Sequence, residues 1–343
     1  MRFRPLRPAP AADSAMVAVT APPETMRAAV IDTTGAAEVL REASVAVPTP
    51  VMSELLIRVV AAGVNPIDAK TRAGAGVSAA IGQYPAALGF DFSGIVVRTP
   101  YESHPLPVGT PVFGMTPFPR TGGSYAEYTV VPSQSVARKP TSLSHVEAAG
   151  VPLAALTAWG LVVETARAHE GQRMLIHAGS GGVGHFAVQF AAYFGAHVTA
   201  TGSARNAPWM RELGASVVID HTTTRFEEVI ADVDVVIDLV GNVHAQTGER
   251  SLKVVRPGGL YILVPTGSWP EYADAAAAAG VRATSFKVIP DGTALATIGR
   301  LLESGAVQVY IDQVFDLKDA AAAHTQIEQG HTRGKIVLRV SDD

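Results

Sequence analysis

The segment Leu175-Ile176-His177-Ala178-Gly179-Ser180-Gly181-Gly182-Val183-Gly184 constrains the fold more than any other stretch of this chain. A short apolar run leads into glycines spaced G-x-G-x-x-G, at Gly179, Gly181 and Gly184. An amphipathic stretch through Phe186, Val188, Phe190 and Ala191 follows. A strand, a glycine turn and a helix in this order bring a dinucleotide pyrophosphate against backbone N–H groups at a helix N-terminus, where the helix dipole favours negative charge. The expected roles are a tight turn at Gly179, a phosphate approach at Gly181 that a Cβ would block, and close helix–strand packing at Gly184. Ser180, Gly182 and Val183 complete the phosphate loop. Glycine turns are common, so the pattern alone is weak evidence and its surroundings decide.

Those surroundings select the nucleotide. The next apolar run, Gly195-Ala196-His197-Val198-Thr199-Ala200-Thr201, reads as a second strand. An NAD site places a carboxylate near the end of that strand, for the ribose 2′-hydroxyl. This chain has Thr201-Gly202-Ser203-Ala204-Arg205 there instead. A hydroxyl and a guanidinium can bind a 2′-phosphate that a carboxylate would repel. The reading is NADP(H), anchored by Ser203 and Arg205; the alternative is a helix N-cap followed by a solvated charge. Further strands are expected at Ser216–Asp220, Asp234–Leu239 and, after the Pro257-Gly258-Gly259 turn, Leu260–Val264. Near-continuous apolar strands suit a parallel sheet covered on both faces. Ligands bind at the carboxyl ends of such strands, which puts Leu239 to Gly241 and Val264 to Thr266 beside the cofactor.

The 343 residues suffice for about two domains. Net charge is −4 with no basic patch, so nucleic acid is not an expected partner. No apolar stretch approaches a membrane span. The chain has no cysteine, which removes disulfides, thiolate catalysis and cysteine-based zinc sites. The ten histidines are scattered, and no metal site is expected. Residues 1–25 are rich in Ala and Pro, lack an apolar run long enough for a secretory signal, and read as a disordered leader. The expected location is cytoplasmic.

The glycine motif and its flanks, with Ala61-Ala62-Gly63-Val64-Asn65-Pro66-Ile67-Asp68, Leu88-Gly89-Phe90-Asp91-Phe92-Ser93-Gly94, Gly122-Gly123-Ser124-Tyr125-Ala126-Glu127-Tyr128, Leu156-Thr157-Ala158-Trp159 and Gly334-Lys335-Ile336-Val337-Leu338, resemble the medium-chain dehydrogenase/reductase superfamily. The likeness is to its zinc-free quinone oxidoreductase and enoyl reductase branch. It implies an α/β protein with a GroES-like β-rich catalytic domain (residues 26–150 and 287–343) and an inserted Rossmann domain (151–286) with a doubly wound parallel sheet. It also implies a homodimer joined through the edges of the nucleotide-domain sheets, with Val281–Phe286 as the edge strand.

In zinc-dependent relatives a metal-binding cysteine stands where this chain has Asn65. Without a Lewis acid, hydride addition to a quinone or an α,β-unsaturated carbonyl is the accessible chemistry, provided hydrogen-bond donors steady the developing oxyanion. The resemblance places Asn65 by the nicotinamide as a candidate donor; the plain alternative is a turn residue tied to local backbone. Lys70 and Tyr84 are the other candidates at the substrate end. Asp68 is expected to cap a helical turn, and Trp159, Tyr125 and Tyr128 to pack. Thr157 is expected against the nicotinamide, and His221 near the adenosine phosphate. Lys335 reads as an edge-strand charge in preference to a cofactor-phosphate contact. The leading function is NADPH-dependent reduction of a quinone, enone or enal. The alternatives are an enoyl-thioester reductase of fatty-acid or polyketide metabolism, and a non-catalytic NADPH-binding protein of crystallin-like or regulatory type.

Overall fold

The structure is a computed structural model describing residues 21–118 and 123–342. Of the expected leader, residues 1–20 lie outside the described residues. The first strand, β1 (Thr25–Ile31), pairs antiparallel with β2 (Arg41–Ala46) and β4 (Ala86–Ala87) in a small sheet.

A seven-stranded sheet is built around β3 (Glu54–Val64), the longest strand. Its partners are β5 (Asp91–Arg98), β7 (Tyr128–Pro132) and, from the far end of the chain, β16 (Lys335–Arg339). β6 (Pro111–Met115), β8 (Val136–Arg138) and β15 (Ile311–Asp316) complete it. Leu55, Ile57 and Val59 alternate along β3 and bury their side chains with Phe92, Val96 and Leu338, while Leu56 is buried in a second cluster on the other face. The register is what matters for chemistry. Gly63 of β3 faces Asp91 of β5 and Val337 of β16, and Val64 faces Ile336. The end of β3 therefore meets the starts of β5 and β16 at one rim of the sheet.

The six-stranded sheet is wholly parallel, in the order β11-β10-β9-β12-β13-β14. Its strands are β9 (Arg173–Ile176), β10 (His197–Gly202), β11 (Val217–Asp220), β12 (Val233–Asp238), β13 (Val255–Leu263) and β14 (Arg282–Ser285). This is the doubly wound dinucleotide order, with its switch point between β9 and β12. The strand at Leu260 starts earlier than the sequence reading placed it. β13 begins at Val255 and passes through the Pro257-Gly258-Gly259 bend, which the sheet absorbs by a register shift between Val233 and Val235. β14 is the edge strand, as the reading of Val281–Phe286 requires.

The helices are α1 (Pro66–Arg72), α2 (His145–Ala149), α3 (Pro152–Trp159), α4 (Gly182–Tyr193), α5 (Ala207–Glu212), α6 (Thr247–Leu252), α7 (Tyr272–Ala278), α8 (Gly292–Glu303) and α9 (Ala320–Glu328). One apolar cluster runs from Phe90 and Phe113 through Leu153, Leu156 and Leu161 to Ile176, Phe186 and Val188. α3 thus joins the cores of the two large sheets. Trp159 packs edge-on against Phe190, with ring centroids 5.4 Å apart.

Candidate active site

The glycine turn follows β9 directly. Gly181 occupies the N-cap of α4, and the helix starts at Gly182. A Cβ on Gly184 would collide with the Ala178 carbonyl, so only glycine lets α4 lie this close to the strand. A Cβ on Gly179 would sit 2.8 Å from that of Ala200 on the neighbouring strand. The left-handed residue of the turn is Ala178, at φ 50°, and not Gly179. Gly179 is required by packing against β10 rather than by its own backbone angle. Ser180 is tied down twice: its carbonyl accepts from Gly334 N–H at 2.9 Å, and its hydroxyl accepts from Asn206 Nδ2 at 3.1 Å.

The adenosine end gathers after β10 and β11. Ser203 stands at the N-cap of a short 3-10 turn but makes no side-chain capping bond, so its hydroxyl is not consumed there. Arg205 is exposed and leans on the His331 carbonyl at 3.1 Å. His221 is exposed, and its N–H donates to Gly202 O at 3.2 Å, placing it beside Ser203. Glycines cradling a helix N-terminus, with a hydroxyl and a guanidinium one strand away, fit a dinucleotide with a 2′-phosphate.

A buried polar brace beneath the turn was missed by the sequence reading. His177, 1% exposed, bridges Thr201 Oγ1 (3.1 Å from Nδ1) and Ser251 Oγ (2.9 Å from Nε2). Ser251 gives its own proton to Thr247 O, so Nε2 carries the ring proton. Burial pushes the imidazole down to about 4. Asp238, the last residue of β12, accepts from Val240 N–H, Gly241 N–H and Tyr261 O–H at 2.6–2.8 Å, which shapes the turn carrying Leu239. Val264 lies beside it, its N–H donating to Asp238 O at 3.0 Å. Thr266 is exposed.

Opposite the glycine turn lies the rim where β3, β5 and β16 meet. Asn65, 1% exposed, donates from Nδ2 to Asp91 Oδ2 at 2.8 Å. Its Oδ1 accepts a hydrogen bond from Lys335 Nζ, which also donates to Val64 O at 3.1 Å. Asp91 lies 3.7 Å from Lys335 Nζ and accepts from Leu153 N–H at 2.7 Å. Gly63 is what makes room: a Cβ there would lie 2.9 Å from the Asp91 side chain and clash with the Ala149 carbonyl. Lys335 corrects the sequence reading of an edge-strand charge. β16 is flanked by β15 and β3, and the lysine is 3% exposed with its stem against Gly182. Burial pulls its ammonium below its ordinary value and raises Asp91, each shift opposed by the partner's charge. An aspartate set between Phe90 and Phe92, at the start of a strand rich in apolar residues, is the sequence signal for Asp91.

Asp68 sits one helical turn behind Asn65. It accepts from Asn65 N–H at 2.8 Å and from Tyr125 O–H at 3.1 Å. The capping role expected of it is the one it has. Burial drives its carboxyl up to about 7. The Tyr125 hydroxyl also meets His324 Nε2 at 3.2 Å, so this packed tyrosine is part of the polar network. Thr157 is buried and donates to Leu153 O at 2.7 Å, the self-bonding pattern of a helix threonine, on the helix that carries Leu153. Lys70 is exposed at the end of α1, and Tyr84 is 40% exposed. The geometry brings Asn65 together with Lys335 and Asp91, not with Lys70 or Tyr84.

Among the described residues no group of three or more His, Asp or Glu is placed to hold a metal ion, and Asn65 is already bonded to an ammonium. The donor set does not fit zinc. Two family profiles match the chain: an alcohol dehydrogenase GroES-like domain over residues 52–141 and a zinc-binding dehydrogenase over 213–338. Tomato 2-methylene-furan-3-one reductase is 36% identical over 89% of this chain and 76% of its own length. The solved quinone oxidoreductase of Coxiella burnetii is 34% identical with a TM-score of 0.88, covering 92% of this chain and all of that one. The Escherichia coli quinone oxidoreductase, solved with NADPH, is 26% identical with a TM-score of 0.81 over 92% of this chain and 100% of that chain. The sheet order, the glycine turn and these likenesses agree: the chain belongs to the medium-chain dehydrogenase/reductase superfamily, in its zinc-free quinone oxidoreductase and enoyl reductase branch.

Proposed function

We propose that the chain is a zinc-independent, NADPH-dependent reductase of α,β-unsaturated carbonyls or quinones. The observation that carries this reading is the physical link between cofactor turn and polar floor. Gly334 N–H is bonded to Ser180 of the turn, and the Lys335 stem abuts Gly182 while its ammonium reaches Asn65. A dinucleotide lying along the turn would end over Asn65. Ser203 and Arg205 would take its 2′-phosphate, and α4 its pyrophosphate. Leu239, Val264 and Thr266 border the carboxyl ends of β12 and β13, where the middle of the cofactor would pass.

Bound NADPH would supply a hydride from nicotinamide C4. The protein orients the acceptor, excludes water and receives charge on the acceptor oxygen. In a conjugated acceptor the charge moves from the attacked carbon to that oxygen, so a donor fixed at the oxygen stabilises the transition state more than the ground state. Asn65 is such a donor: one Nδ2 hydrogen is held by Asp91 and the other is left for a ligand. A homodimer joined through β14 would cover the exposed edge of the parallel sheet.

Purified protein should oxidise NADPH when offered quinones, enones or enals, and prolonged chelation should leave the rate unchanged. Tight NADPH binding with no turnover on any of these acceptors would favour a non-catalytic role. Turnover on acyl-thioester substrates alone would favour the enoyl-thioester alternative.

A further inference from the structure

The position that carries a metal-binding cysteine in zinc-dependent relatives is held here by Asn65, and the group bonded to Asn65 is itself a cation. An ammonium has three N–H donors. Those of Lys335 go to Asn65 Oδ1 and to Val64 O, while Asp91 at 3.7 Å is a charge partner beyond hydrogen-bond length. The third N–H has no acceptor at bonding distance, and one Asn65 Nδ2 hydrogen is in the same state. Both groups are at most 3% exposed, so neither requires reorganisation, and water screens them little. Lys335 also lies on the cofactor side of the pair, against Gly182, whereas Asp91 points into the protein toward Leu153 N–H.

We propose that the Lys335 ammonium takes over the electrostatic role of the missing metal, acting with Asn65 as the second donor to the oxyanion that forms on the acceptor. This rests on the reductase reading above. No bond to Lys335 forms or breaks. The hydride comes from NADPH, the acceptor is reduced by two electrons, and the product oxygen or carbon takes its proton from solvent. Asp91 and the Val64 carbonyl are positioning groups that hold the ammonium in place.

The test uses 4-nitrophenol, whose phenolate imitates an enolate or hydroquinone oxyanion and absorbs where the neutral phenol does not. The full-length protein saturated with NADP⁺ is titrated at a pH where free 4-nitrophenol is mainly neutral. The wild type should bind it as the phenolate. Lys335→Met leaves Asp91 unpaired and could fail to fold, so the double variant Lys335→Met/Asp91→Asn, which removes both charges together, accompanies it. The double variant should unfold at a temperature close to the wild type, keep NADPH affinity measured by nicotinamide fluorescence, and lose phenolate affinity about tenfold or more. Its kcat with an enone should fall about 100-fold with little change in KM.

Three results would overturn the proposal. One is a double variant that keeps wild-type phenolate binding and kcat, meaning the lysine only neutralises Asp91. Another is a lysine variant that loses NADPH affinity, meaning the ammonium serves the cofactor phosphates. The last is a wild type that binds no phenolate. A wild type with the Lys335-dependent phenolate signal but no turnover on any acceptor would instead sink the reductase reading and leave the anion site standing.

Discussion

The two parts of the candidate site are built on opposite principles. The glycine turn is made of backbone: four glycines, one left-handed alanine and a helix N-terminus, all within residues 178–184. The floor opposite is made of side chains from segments far apart in sequence, Asn65 and Asp68, Asp91, Tyr125 and Lys335, joined by strand register. A backbone site binds what every dinucleotide shares. A side-chain site can be given other charges, and so can change the reaction without changing the fold.

The sharpest contrast is in pH response. His177 and His185, on the nucleotide side, are fully buried, and burial holds each down to about 4, below the ordinary 6.5. The unfolded chain takes up both protons as pH falls through 6.5, while the fold refuses them until about 4. Stability should therefore be fully present above 6.5 and fall as pH drops, by about 1.4 kcal/mol per pH unit for each histidine. On the floor, Asp68 is raised to about 7, which adds stability at low pH that is lost as pH rises through 7. His324, held down to about 3, acts in the opposite sense to Asp68. Asp68 and His324 thus oppose each other over most of this range, and His177 and His185 add a slope of their own. Denaturant unfolding between pH 4 and 6.5 should show it, and His185→Gln should remove about 1.4 kcal/mol per pH unit; an unchanged slope breaks this contrast.

Asp91→Ala attacks the floor directly. It leaves the Lys335 ammonium buried without its carboxylate, and should cost about 3–5 kcal/mol in chemical denaturation. A loss below 1 kcal/mol would show that the pair is not desolvated, a threshold set by the small worth of about 0–1 kcal/mol for exposed pairs. On the other side, Arg205→Ala should weaken NADPH by about 1.5–3 kcal/mol and leave NADH nearly untouched. Equal losses for the two would remove the 2′-phosphate from this residue. The smallest effect is expected from Tyr125→Phe, which deletes the hydrogen bonds of that hydroxyl to Asp68 and His324 and should cost about 1–2 kcal/mol while leaving NADPH affinity alone.

What could be read in the sequence follows the same division. The turn, the apolar strands and the replacement of a carboxylate by Ser203 and Arg205 are local patterns, written in consecutive residues. The floor depends on β16 returning beside β3 across some 270 positions, as the Lys335–Asn65 bond shows, and no periodicity announces that. Lys335 was accordingly read as a surface charge, because a lysine at a strand start usually is one. His177 and Asp238 escaped for another reason. Asp238 ends an apolar strand and His177 follows one, where a single polar residue looks like the edge of the element rather than a brace beneath the cofactor turn. In the turn, the left-handed angle falls on Ala178, a residue type that rarely adopts it and so gives no sign of it in the sequence.

On the proposed reading, a nicotinamide held by the turn delivers hydride to a conjugated acceptor whose oxygen rests on the floor. NADPH deuterated at nicotinamide C4 tests it with one product analysis. Incubated with the protein and an enone, it should give a saturated ketone carrying deuterium on the β-carbon, and deuterated NADH should give far less. A product without that deuterium, or NADPH consumed with the enone recovered intact, would rule out hydride delivery from the turn to such an acceptor.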